Sequence, residues 1–123
     1  MNSSNHHNNK TIAIVDDDED IVILFTEVFR ENGYYVMAFT NPLHALDYIH
    51  EHPDKFDLII LDYRISPMQG DELSNKIHTI NSKIKMIIFT VYDNVTNNPL
   101  NLEIVKKPIR LSKLLQIIQQ HLD

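Results

Sequence analysis

Five short apolar runs, four of them followed by a stretch with helical spacing of its apolar residues, constrain this chain more than any other feature. The runs are "TIAIV" (11–15), "YYVMAF" (34–39), "FDLIILD" (56–62), "KMIIFT" (85–90) and "LEIV" (102–105). Most are continuously apolar, the pattern of strands buried on both faces. After the first run, Ile21, Leu24, Phe25, Val28 and Phe29 step by three and four, which puts them on one face of a helix from Asp20 to Asn32. Gly33 ends that helix, because glycine takes the left-handed C′ position without penalty. Thr40 and Asn41 are candidate caps for a second helix; Pro42 suits its first turn, and Leu43, Leu46 and Ile49 form its stripe to about His52. Residues 63–70 read as a loop containing Pro67 and Gly70. Leu73, Ile77 and Ile80 mark a third helix over Asp71–Ile80, and Leu111, Leu114, Leu115, Ile118 and Leu122 mark a last one. Residues 91–101, "VYDNVTNNPLN", are polar and interrupted by Pro99, so no helix of any length is expected there.

Buried strands alternating with amphipathic helices imply a parallel sheet covered on both sides. Right-handed crossovers then make it an α/β, doubly wound five-stranded parallel sheet, with the fourth helix shortened or replaced by a loop. A length of 123 residues suits one domain, read here as residues 10–123, behind a disordered tail over residues 1–9. The chain has no cysteine, which excludes a disulfide framework and a thiolate metal site. No apolar run approaches the ~18 residues of a membrane span, and the first residues lack a signal peptide's apolar core. A cytoplasmic protein without membrane insertion is therefore expected. The net charge of −6 argues against direct binding to nucleic acid.

In doubly wound sheets, ligands bind outside the carboxyl ends of the strands. Here the first strand ends at Asp16, Asp17 and Asp18, the third at Asp62 and the fourth at Thr90, while the fifth leads to Lys106, Lys107 and Pro108. Carboxylates from two strands, a hydroxyl and an amine would converge on one edge. Two carboxylates ~4 Å apart repel by about 4 kcal/mol at an effective dielectric near 20. Either one takes a proton or a divalent ion sits between them. An all-oxygen site with room for water and phosphate suits Mg²⁺.

The stretches "IVDDDEDI", "DLIILDYRISPMQG", "MIIFT" and "VKKP", in this order from Lys10 onward, resemble a response-regulator receiver domain of two-component signalling. The resemblance implies a flavodoxin-like fold of the stand-alone type, with no room left for an output domain. It also implies that Asp62 accepts a phosphoryl group from a sensor histidine kinase or a histidine phosphotransfer protein. Mg²⁺ would be held by Asp16, Asp17, Asp62 and the backbone carbonyl of Arg64. Thr90 would donate to one phosphoryl oxygen and Lys107 would place its charge on another. Asp18, Glu19 and Asp20 then belong to the start of the first helix; the competing register pairs Asp17 with Asp18. Such a domain is not an enzyme beyond self-phosphorylation from small donors and autodephosphorylation, and it acts through a downstream protein. This chain departs from the family pattern in its polar 91–101 segment and in Ile104, which stands where an aromatic residue is usual. Val91, directly after Thr90, and Arg64, two after Asp62, are read as prolonging the phosphorylated state, with Arg64 either reaching over the phosphoryl group or pointing to solvent. Pro67 sits five after Asp62, one later than usual.

Two other function classes remain open from sequence. Asp16-x-Asp18 superficially resembles a haloacid-dehalogenase phosphohydrolase, but Asp20 stands where Thr or Val is expected and no substrate cap is present. A receiver-like scaffold that signals by contact alone is motivated by the altered 91–104 region. Tyr92 is read as a surface tyrosine or as part of the switch. Tyr34 and Tyr35 are expected to cover the second strand. His44, His50 and His78 are read as exposed helix residues without a metal role; His52 is close to His50.

Overall fold

A computed structural model describes residues 10–122; the tail expected over residues 1–9 lies outside the described residues. Five strands, β1 (Thr11–Val15), β2 (Tyr35–Phe39), β3 (Leu58–Leu61), β4 (Lys85–Thr90) and β5 (Glu103–Lys106), alternate with helices α1 (Glu19–Glu31), α2 (Pro42–Glu51) and α3 (Gly70–Ile80), and α4 (Leu111–Leu122) closes the chain. All neighbouring strands pair in parallel, in the order β2-β1-β3-β4-β5. The expected doubly wound α/β sandwich is what forms. The order of strand addition reverses at β1: β2 lies on one side of it and β3 on the other, where Val15 pairs with Leu61. That switch point opens a crevice beyond the carboxyl ends of both strands.

Successive strand residues point to opposite faces, so each central strand feeds two cores. Ile12, Ile14, Ile60 and Ile87 pack against Phe25 and Phe29 of α1 and Leu114 and Ile118 of α4. Ala13, Ile59, Leu61 and Met86 pack against Ala45 and Ile49 of α2 and Leu73 and Ile77 of α3. Phe29 is fully buried, and its truncation to alanine should cost about 3–5 kcal/mol.

Helix boundaries follow local chemistry. The Asp18 carboxylate accepts from the amides of Asp20 (3.0 Å) and Ile21 (3.4 Å), so α1 starts one residue before its apolar stripe suggests. Glu19 and Asp20 then lie in the first turn, at the positive end of the helix dipole. Gly33 adopts φ 91°, and its amide donates to the Arg30 carbonyl at 2.9 Å. Of the two candidate caps for α2, Asn41 is the one used; it accepts from the Leu43 amide at 2.9 Å. Tyr34 is buried in the first core, whereas Tyr35 is largely exposed on the edge strand β2. His52 packs against Tyr48, with 4.4 Å between ring centroids and planes tilted by 33°.

Between β4 and β5 the chain forms an anchored loop, with no helix among the described residues. The Asn98 side chain accepts from the Leu102 amide (3.0 Å) and donates to the Leu102 carbonyl (2.9 Å). Asn97 donates to Asp71 of α3, and Leu100 and Leu102 cover the second core. Asn101 takes φ 54°, a left-handed conformation that asparagine tolerates. This loop leaves Ile104 partly exposed on β5. No helix among the described residues is long and apolar enough to cross a membrane.

Candidate functional site

Backbone ladders carry the first acids to their places. The Asp16 amide donates to the Phe39 carbonyl and the Asp62 amide to the Val15 carbonyl, both at 3.0 Å, which extends the sheet one residue past β1 and β3. Each carboxylate then has one oxygen held by backbone. Asp16 Oδ1 accepts from the Asp18 amide (2.9 Å), and Asp62 Oδ1 accepts from the Arg64 amide (3.3 Å). The opposite oxygens face one ammonium: Lys107 Nζ donates to Asp16 Oδ2 at 2.7 Å and to Asp62 Oδ2 at 3.3 Å. Lys107 is set there from β5, because its amide donates to the Thr90 carbonyl at 2.8 Å.

Carboxylate oxygens of Asp16, Asp17 and Asp62 all lie within 4.8 Å of one another. Asp16 and Asp62 are buried and Asp17 is exposed. At 4.8 Å and an effective dielectric near 20, each close pair of charges repels by about 3.5 kcal/mol. Lys107 supplies one positive charge against three negative ones, so the ionised cluster carries a net excess of two. Hard oxygen donors with that deficit fit a divalent cation such as Mg²⁺. Burial pushes the Asp62 carboxyl above its ordinary value and Asp16 pushes it further, while Lys107 and the Arg64 amide pull it down. For Lys107, burial pulls the ammonium down, but the hydrogen bonds and charges of Asp16 and Asp62 outweigh it and the value is raised. Lys107 therefore stays charged at neutral pH.

These groups open into a cleft of about 490 Å³. Its lining is acidic in part, from Asp16, Asp17 and Asp62, and apolar in part, from Leu24, Phe25, Phe89 and Ile109 among others. Phe89 and Val91 line the cleft, but Thr90 between them does not. Thr90 is fully buried, and its Oγ1 accepts from the Tyr92 amide at 3.1 Å. Arg64 approaches Asp62 through its backbone, while its guanidinium lies 4.2 Å over the Tyr92 ring.

Three features of the site escape a sequence reading. Gly70, read as loop, is the first residue of α3, and its amide donates to the Tyr63 carbonyl at 2.8 Å. A Cβ built there would stand 2.4 Å from the Asp62 carbonyl oxygen and 2.9 Å from Tyr63 Cα. Lys107 contacts Asp16 more closely than Asp62, a choice that no spacing encodes. Tyr92 stacks on Tyr63, with centroids 6.0 Å apart and planes 15° from parallel. For Gly70, the one available signal was a glycine directly before an amphipathic stripe.

Residues 12–119 match the response regulator receiver domain family. Among curated proteins, a 72-residue stretch is 38% identical to sporulation initiation phosphotransferase F of Bacillus subtilis (strain 168), covering 58% of this chain and 56% of that protein. The match thus spans little more than half of that relative. Among solved structures, a CheY-like response regulator receiver domain protein from Methanospirillum hungatei JF-1 superposes with a TM-score of 0.86 at 29% identity, covering 93% of this chain and 94% of that one. Response regulator protein TrrA from Thermotoga maritima, in complex with Mg(2+)-BeF, gives a TM-score of 0.80 at 26% identity, covering 91% and 98%.

Proposed function

The chain belongs to the response regulator receiver domain family, and from that premise we propose that it is a phospho-acceptor switch charged at Asp62 by a phosphohistidine of a histidine kinase or histidine phosphotransfer protein. Receiver domains are phospho-accepting signalling domains and not classical enzymes. The observation that carries the assignment to Asp62 is the arrangement around Lys107 Nζ. The ammonium bridges Asp16 and Asp62, and Asp17 completes a triad within 4.8 Å. The similarity to a protein named a phosphotransferase, and to TrrA in complex with Mg(2+)-BeF, supports the same reading.

A carboxylate oxygen of Asp62 is the nucleophile in this reading; Oδ1 accepts from the Arg64 amide and Oδ2 from Lys107, both at 3.3 Å. A P–O bond forms to Asp62 as the P–N bond to the donor imidazole breaks, and the electron pair of that bond returns to the ring nitrogen. Asp16, Asp17, Asp62 and the Arg64 carbonyl would hold Mg²⁺, whose charge offsets the repulsion between the acids and the arriving phosphoryl group. Lys107, already beside Asp62, turns its charge to a phosphoryl oxygen. The Thr90 hydroxyl has a proton left to donate, because its contact with Tyr92 uses only a lone pair.

Incubation with Mg²⁺ and a small phosphodonor such as acetyl phosphate tests this. One phosphoryl group per chain is expected by intact mass, and none in Asp62→Asn. Continuous turnover of a phosphomonoester would favour a phosphohydrolase instead. Complete absence of labelling would favour a contact-only scaffold, a reading motivated by the missing helix between β4 and β5 and by Ile104.

A further inference from the structure

A receiver must report the state of its acceptor to the surface. At Ile104, β5 carries an aliphatic side chain with no polar atom and no ring, paired across the strand with Ile88. Another route is built into this chain. Tyr92 is held by three contacts that lead directly to the acceptor. Its amide donates to Oγ1 of the buried Thr90. Its ring is covered by the Arg64 guanidinium at 4.2 Å and stacked on Tyr63, the residue after Asp62. Lys106 fastens the flanking chain, donating to the Val91 carbonyl at 2.6 Å and pairing with Asp93. The segment around Tyr92 is therefore pinned on both sides, and the ring with its amide is the part left to respond.

We infer that Tyr92 is the read-out of phosphorylation in this chain, released when a phosphoryl group on Asp62 draws Arg64 off its ring and Thr90 off its amide; the inference rests on the function proposed above. Both contacts are weaker than the ones that would replace them. A guanidinium on a half-exposed ring exchanges a modest cation–π contact for a charge-assisted, bidentate hydrogen bond to phosphate. Thr90 is fully buried and stands outside the cleft lining, so bringing its free proton to a phosphoryl oxygen draws the side chain toward Asp62 and away from the Tyr92 amide. Both changes act in the same direction, so the ring moves from a covered state to an exposed one, beside the cleft where a partner can meet it.

The chain has no tryptophan, so Tyr92→Trp places a single reporter. Beryllofluoride with Mg²⁺ serves as the phosphoryl probe, and a bound ¹⁹F resonance reports its occupancy independently. With the probe bound, acrylamide quenching of the tryptophan should rise by up to about threefold, because Tyr92 is 36% exposed in the resting state. Arg64→Ala in the same background should raise the resting value and shrink the change. In the unsubstituted chain, ¹³C-labelled tyrosine rings should show the Tyr92 resonance moving on probe binding, with Tyr92→Phe fixing its assignment. A bound probe with unchanged quenching and an unmoved Tyr92 resonance would overturn the relay and leave the phospho-acceptor function standing. No bound resonance at all would overturn both.

Discussion

Gly70→Ala separates two physical effects of opposite sign. Gly70 is the first residue of α3, and alanine is the better helix former by about 0.8–1.0 kcal/mol in a helix interior. Helix propensity alone thus makes the variant more stable. The tertiary structure says otherwise. The added Cβ would stand 2.4 Å from the Asp62 carbonyl oxygen, roughly 1 Å inside ordinary contact. It would also stand 2.9 Å from Tyr63 Cα, and both neighbours are backbone that cannot rotate aside. Overpacking of this kind costs about 1–3 kcal/mol, so after the propensity gain of about 0.8–1.0 kcal/mol the expected net loss is up to about 2 kcal/mol. Urea unfolding would read it directly, and the melting temperature should fall by roughly 3–6 °C per kcal/mol for a chain of this size. The segment that must yield also carries the acceptor. A displacement near 1 Å there should slow labelling of Asp62 by about 100-fold. A variant that is stabilised, or one labelled at the original rate, would refute the reasoning.

Four further outcomes are expected. Asp62 is held above its ordinary 3.8 by burial first and by Asp16 second, so the folded state binds this proton more tightly than the unfolded chain. That contribution to stability is fully present below 3.8 and is lost as pH rises through the folded value. Without divalent cations, Asp62→Asn should therefore have the higher urea midpoint at neutral pH, with the two curves converging toward acid; a less stable variant at neutral pH would contradict this. Lys107→Met leaves two buried carboxylates uncompensated and should destabilise the fold by about 3 kcal/mol, a loss that Mg²⁺ reduces. In the same variant, ¹³C titration of the aspartate carboxyls should show Asp62 protonating at higher pH than in the unsubstituted chain, and an unchanged or lower value would count against the assigned role of the ammonium. Val91→Ala combined with Arg64→Ala should shorten the lifetime of phosphorylated Asp62, as followed by loss of label from the isolated protein; equal lifetimes would remove both side chains from the shielding of the phosphoryl group.

Local patterning in this chain speaks for burial and chain reversal, and there the sequence is legible. Continuous apolar runs announce strands covered on both faces, and the three-and-four spacing of Ile21 through Phe29 announces the inner face of α1. Gly33 and Asn41 act within a few residues of themselves, so their capping roles can be read without knowing the fold. The rule that strand ends meet on one edge of a parallel sheet then singles out Asp16, Asp17, Asp62 and Lys107 as neighbours, and the structure brings these four together. Long-range geometry decided the rest. The bond from Lys107 to Asp16 closes between residues 91 positions apart, and its preference over Asp62 depends on how β1, β3 and β5 end in space. The close approach of Gly70 to Asp62 depends on where α3 starts against β3. The stack of Tyr63, Tyr92 and Arg64 joins two loops that only the pairing of β3 with β4 makes adjacent. Periodicity records which face of an element is buried, because burial is averaged over a whole helix or strand. Contacts between single atoms at the tips of different elements leave no such average, and only the packed tertiary structure selects them.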